Sequence, residues 1–178
     1  MLKKVMIRIC SRRGDISNEM FEYMFGENEE TEDVAPQPDE EDEGEEDAPL
    51  EISMEGKLYV TGGEVRLSYT ETEMTGMEGA KTTVYFREDE PGLITMMRSG
   101  PVNTALVFEE KSRHICAYQT PFMPFELCVH TLKVDNRLLS EGKLYLDYII
   151  EFRGAKAEHN LFELTVFDAP DRPKNILF

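Results

Sequence analysis

The stretch Lys143-Leu-Tyr-Leu-Asp-Tyr-Ile-Ile-Glu-Phe-Arg153 decides the fold class. Leu144, Leu146, Tyr148, Ile150 and Phe152 fall on one parity. Lys143, Tyr145, Asp147, Glu151 and Arg153 fall on the other, with Ile149 as the one apolar misfit. Successive side chains of a strand point to opposite faces, so this is a strand with one buried and one wet side. The same period of two extends outward through Val5, Ile7 and Ile9, then Leu50, Ile52, Met54, Leu58 and Val60, then Val65, Leu67 and Tyr69. It returns in Val102, Leu106 and Phe108, in Phe125, Leu127 and Val129, and in Phe162, Leu164 and Val166. Between these runs stand turn signals at Thr61-Gly-Gly63, Gly76-Met-Glu-Gly79, Glu90-Pro-Gly92, Ser99-Gly-Pro101 and Thr120-Pro-Phe-Met-Pro124. About ten strands joined by short turns leave no room for helical crossovers, so the pairing is antiparallel. Such a meander hides its edges by closing. The expected fold is all-β: a single up-and-down barrel of about 8–10 strands over residues 1–178, able to hold side chains or one small ligand.

Composition narrows the function classes. The 178 residues are 40% hydrophobic and lack Trp, and no apolar run reaches the roughly 18 residues of a membrane-spanning helix. The net charge of -17 is local. Residues 14–56 hold 18 acidic and no basic residues, leaving 18 acidic and 19 basic residues elsewhere. Within residues 27–47 lie 13 of those acids and one aliphatic larger than Ala, Val34. Too little apolar surface is available there to offset the entropy of ordering, so a disordered acidic insertion in the barrel is expected. Such an insertion reads as a tolerated loop or as a docking segment for a basic protein. Residues 15–25 fit a short helix by Ile16, Met20 and Met24, and a strand by Phe21, Tyr23 and Phe25. No clustered positive charge suits nucleic acid, and no membrane association is expected. The basic, apolar N-terminus is interrupted by Arg8, Arg12 and Arg13 and reads as a strand rather than an export signal. With three scattered cysteines, Cys10, Cys116 and Cys128, the expected compartment is the cytoplasm.

Several stretches carry a family resemblance: MEGKLY, LSYTETEMTGMEGAKTTVYF, ITMMRSGPVNTALVFEE, YQTPF and LDYIIEFRGAKAEHNLFELTV. Together with the first strand they span about residues 50–167 and resemble the YwiB-like bacterial family of unknown function. The resemblance implies a calycin-like β-barrel and a cytosolic protein, and no activity. The acidic insertion departs from the short first connection usual there. The Gly-x-Trp signature of lipocalins is absent, so a lipocalin-like carrier role is analogy alone.

Motifs for catalysis are scarce. Gly76-Met-Glu-Gly-Ala-Lys-Thr-Thr83 has the wrong spacing for a phosphate loop and no helix behind it, so it reads as a hairpin. Neither G-x-S-x-G nor H-E-x-x-H occurs. No cofactor is expected. The arrangement His114-x-Cys116 and Cys128-x-His130 flanks the turn at residues 120–124. Were Thr120 paired with Pro124, Cys116 would face Cys128 and His114 would face His130, four groups suited to tetrahedral zinc. A slip of one residue destroys that alignment. Phe125, Leu127 and Val129 moreover claim the inner face, so ordinary outer-face residues are the favoured reading.

Polar residues in phase with the inner face are the sharper signal. Strict alternation from Val65, Leu67 and Tyr69 carries Glu71 and Glu73 inward, and from Ile94 and Met96 carries Arg98 inward. Gln119 joins them if residues 115 and 117 line the interior. A buried carboxylate needs a partner, so Glu71 or Glu73 beside Arg98 makes chemical sense. These four residues are expected to hold the polar end of a ligand in a cavity lined by Leu67, Tyr69, Met96 and Phe152. A strand that bends after Tyr69 would instead release them to solvent. The leading expectation is a non-enzymatic barrel for a small, partly apolar molecule. Second comes an interaction module for a basic partner, and third an enzyme of unknown reaction.

Overall fold

A computed structural model describes residues 1–16, 49–75, 77–152 and 156–169. The acidic run 27–47, and most of the 15–25 stretch, lie outside the described residues.

Ten strands follow one another: β1 (Leu2–Ile16), β2 (Leu50–Thr61), β3 (Glu64–Thr70), β4 (Lys81–Arg87), β5 (Glu90–Ser99), β6 (Asn103–Glu109), β7 (Arg113–Gln119), β8 (Pro124–Arg137), β9 (Lys143–Phe152) and β10 (Lys156–Asp168). Each pairs antiparallel with its chain neighbours, and β1 closes the ring by pairing with both β2 and β10. The all-β, up-and-down barrel read from the alternation is therefore the fold. The inward rows fill it: Val5, Ile7, Leu67, Val84, Ile94, Met96, Leu146 and Leu164 are all essentially inaccessible. Gly56 is required at its inward position. A Cβ there would stand 2.2 Å from Ile7 Cδ1 and 3.1 Å from the Ser68 carbonyl oxygen, so the missing side chain lets Ile7 occupy the axis.

The two ends differ. One end carries the tight connections: Gly62 and Gly63, both at positive φ, the turn at residues 88–89, the turn at 110–112, and α1 (Leu138–Glu141). The sequence reading placed the β4–β5 turn at Glu90-Pro-Gly92. The chain turns two residues earlier, where Arg87 grips Asp89 through two hydrogen bonds of 2.8 and 2.9 Å, and Pro91 and Gly92 sit in β5. The helix was not anticipated. It buries Leu138 and ends at Gly142, whose φ of 70° and position 2.6 Å (as a Cβ) from the Val166 carbonyl oxygen admit only glycine. The inward aromatic residues nearest this end, Phe86 and Phe108, are buried. The opposite end carries the last residues of β1 and β9, the first of β2 and β10, the loop between β3 and β4, and the turns at 100–102 and 120–123. There, among the described residues, the interior is not filled.

Candidate functional site

The opening is a cavity of about 270 Å³, just below the roughly 300–1,000 Å³ of typical ligand pockets. Its apolar wall comes from Ile9, Ile52, Leu106, Leu127, Ile150 and Phe162, and its aromatic wall from Tyr69, Tyr118, Phe125 and Tyr148. The ring of Tyr118 stacks on Phe125 at 4.9 Å, and Phe152 meets Phe125 edge-on at 5.1 Å. Tyr148 stands edge-on to Phe108 at 4.8 Å, where the cavity meets the filled core.

Strand register assembles the polar floor. Tyr69 faces Thr82, Thr82 faces Arg98, Arg98 faces Thr104, and Thr104 faces Tyr118. These five residues from five strands form one lateral row on the inner face. Glu71 follows two positions after Tyr69, held in place by its backbone N–H donating to the Ala80 carbonyl at 2.8 Å and by its carbonyl accepting from Gly79 at 3.3 Å. Its side chain is only 3% exposed, and Arg98 is 17% exposed, so both charges have lost most of their water. The Thr82 hydroxyl donates to Glu71 Oε1 at 2.5 Å, and Arg98 Nε lies 3.6 Å from the same oxygen. That is an ion contact without a hydrogen bond. Arg98 Nε is buried with no hydrogen-bond partner among the described residues, and Nη2 reaches only the Met96 sulfur at 3.8 Å. Burial, then the neighbouring Glu71 charge, push the Tyr69 hydroxyl far above its ordinary pKa. Burial also raises the pKa of the Tyr148 hydroxyl. Both phenols remain neutral groups able to donate a hydrogen bond.

A second pair guards the mouth. Arg13 and Glu158, 3.7 Å apart, continue the inward phases of β1 and β10 beyond Ile9 and Phe162. Ser11 and the buried Asn160 share those phases. Among the described residues the cavity thus carries two cations and two carboxylates.

Alternation correctly carried Glu71 and Arg98 inward and together. Glu73 departs from it. The strand ends at Thr70, and residues Glu73–Thr75 form a 3₁₀ turn closed by the Thr75 N–H and hydroxyl on the Thr72 carbonyl, which leaves Glu73 exposed. Gln119 also points outward and is exposed. The reason is register: Gln119, not Thr120, pairs with Pro124, around a four-residue loop. The Thr120 hydroxyl holds that loop, accepting from the N–H groups of Phe122 and Met123 at 3.3 and 3.2 Å. The one-residue shift puts His114, Cys116 and Tyr118 on the inner parity in place of 115, 117 and 119. It also dissolves the zinc alignment. Cys116 faces Leu127, His114 faces Val129, Cys128 faces Ile115 and His130 faces Arg113, so Cys116 is buried inside while Cys128 and His130 lie on the outer parity. No cluster of three metal-binding side chains occurs among the described residues. Burial raises the thiol pKa of both Cys116 and Cys128. Of the expected lining, Tyr69 borders the cavity, Leu67 and Met96 belong to the packed core, and Phe152 is 37% exposed behind Phe125. The reading overlooked Tyr118, Arg13, Ser11, Glu158 and Asn160. Extending the phases of β1 and β10 to their ends would have found the last four.

A wider groove of about 650 Å³ lies on the outer surface, lined by outward-facing Tyr59, Arg66, Lys81, Tyr85 and Met97 among others. It has the character of a solvated sheet face: Arg66 is already engaged by Glu64 at 2.7 Å.

Fold and site together define a closed ten-stranded β-barrel with one filled end and one end opening on a polar-floored, apolar-walled cavity. No helix among the described residues is long and apolar enough to cross a membrane. The chain belongs to the family described as Domain of unknown function (DUF1934), whose model matches residues 37–164. It is similar to the crystal structure of ywiB protein from Bacillus subtilis, with a TM-score of 0.60 and 20% identity over 92% of each chain. At that identity the likeness shows the fold alone. No curated protein matches the chain.

Proposed function

We propose that this protein is a non-enzymatic, cytoplasmic, calycin-like barrel that binds a small, partly apolar molecule in the open end. One observation carries the reading: Arg98 lies inward among aromatic and aliphatic walls with most of its donors unused. A guanidinium retained only for structure would be expected to form a forked, hydrogen-bonded pair with its carboxylate. A loose contact of 3.6 Å leaves donors for a guest. Apolar walls supply affinity and the few polar groups supply orientation.

The test is ligand-observed NMR with the full chain and a set of aromatic fragments of amino-acid size, each bearing one polar group. Binding is expected, and both Arg98→Met and the cavity-filling Ile150→Phe should weaken it by about tenfold while the chain stays folded. Fragments that bind equally well to both variants, or that never bind, would overturn the reading.

A second reading, an interaction module for a basic protein, draws on the rim of the same end. Met74, Phe122 and Met123 are 64%, 95% and 56% exposed there, at the same end as the strand ends Ile16 and Leu50. Exposed apolar groups on a chain that also carries a run of acids suit a basic, partly apolar surface.

A further inference from the structure

Resting on the binding reading above, we infer that the guest is a zwitterion, specifically a free α-amino acid with an apolar or aromatic side chain. Charge balance drives the inference. Among the described residues the charged groups lining the cavity are Arg13, Arg98, Glu71 and Glu158, and the two that have lost most of their water, Arg98 and Glu71, are of opposite sign. A monocarboxylate on Arg98 would bring a second negative charge close to buried Glu71, and like charges in a poorly solvated site repel strongly. An amine on Glu71 alone would face Arg98 in the same way. A molecule presenting a carboxylate and an ammonium side by side answers both.

The geometry agrees. Glu71 Oε1 already accepts from Thr82, and a carboxylate offers about four acceptor sites, so room remains for an ammonium. The Arg98 guanidinium has five donors and no oxygen acceptor within hydrogen-bond distance among the described residues. Beyond this pair the wall turns apolar, through Leu106, Tyr118, Phe125 and Leu127. A volume of about 270 Å³ is of the size that one amino acid fills.

Isothermal titration of the full chain with three related probes distinguishes the charges: L-phenylalanine, 3-phenylpropionate (no ammonium) and 2-phenylethylamine (no carboxylate). L-phenylalanine should bind at least about tenfold more tightly than either. Arg98→Met should reduce it to the level of the amine, and Glu71→Gln to the level of the acid, with the circular dichroism spectrum of each variant confirming the barrel. If 3-phenylpropionate or the amine binds as well as the amino acid, the zwitterion inference fails and the binding barrel survives. If none of the three binds and neutral aromatic fragments also leave the cavity empty, both fail together.

Discussion

At the filled end of the barrel the inward rows of β4 and β6 finish in Phe86 and Phe108, with Leu138 of α1 buried beside the same connections. Toward the open end the inward phases of β1, β3, β5 and β10 carry Arg13, Glu71, Arg98 and Glu158. Backbone geometry is the same at both ends, since one alternation runs through each strand. What differs is the chemistry placed on it. Packed apolar ends stabilise by excluding water and filling space. Charged ends do the opposite, because desolvating a charge is unfavourable unless it is well paired. Of these four, Arg98 and Glu71 carry that cost, while Arg13 and Glu158 are about half exposed and keep much of their water.

The comparison breaks most readily at the filled end. Phe108→Ala, which empties a fully buried site, should lower unfolding free energy by about 3–5 kcal/mol in urea titrations. A loss below about 1 kcal/mol would mean that this end is not the stabilising one. At the open end, Arg98→Met strands Glu71 without its counter-charge. A fully buried pair would lose about 3–5 kcal/mol, but Arg98 keeps some contact with water, so a loss of about 2 kcal/mol is expected. Adding Glu71→Gln should restore most of that stability, since no buried charge then remains. Failure of the double variant to recover would show that Arg98 packs rather than pairs. Thiol chemistry sharpens the contrast at smaller energetic cost. Cys116 is 3% exposed with its thiol pKa raised by burial, so iodoacetamide should modify it last of the three cysteines, read by mass spectrometry over time. Early modification would show that the β6–β7 seam, whose ladder pairs are Asn103–Gln119 and Thr104–Tyr118, opens readily. At the rim, Phe122→Ser should change stability by less than about 0.5 kcal/mol, because its side chain is 95% exposed.

Much of the architecture was readable before any coordinates. The parity of Leu144 through Phe152 told which face of β9 is buried, and the same arithmetic brought Glu71 and Arg98 inside. Even Ile149, the misfit, is informative: it is fully buried on the outer parity, flanked across the ladders by His130 and His159. Glu73 escaped because nothing in a period of two announces that a strand stops after Thr70. Gln119 and the His/Cys set escaped because hairpin register depends on loop length, which a hydroxyl of Thr120 selects.

The division follows from the range of the physics involved. Which face a side chain takes is a property of the pleat, set by the residue and its neighbours two positions away, so the sequence by itself determined the barrel, its core rows and the inward phase of the charged pair. Which residues then meet is decided between strands. The row Tyr69–Thr82–Arg98–Thr104–Tyr118 exists only because four ladders hold one register, and each could slip by two residues without moving any side chain to the other face. The tertiary structure alone therefore decided that Glu71 and Arg98 share a cavity with Tyr118, and that Cys116 and Gln119 take opposite sides of the wall.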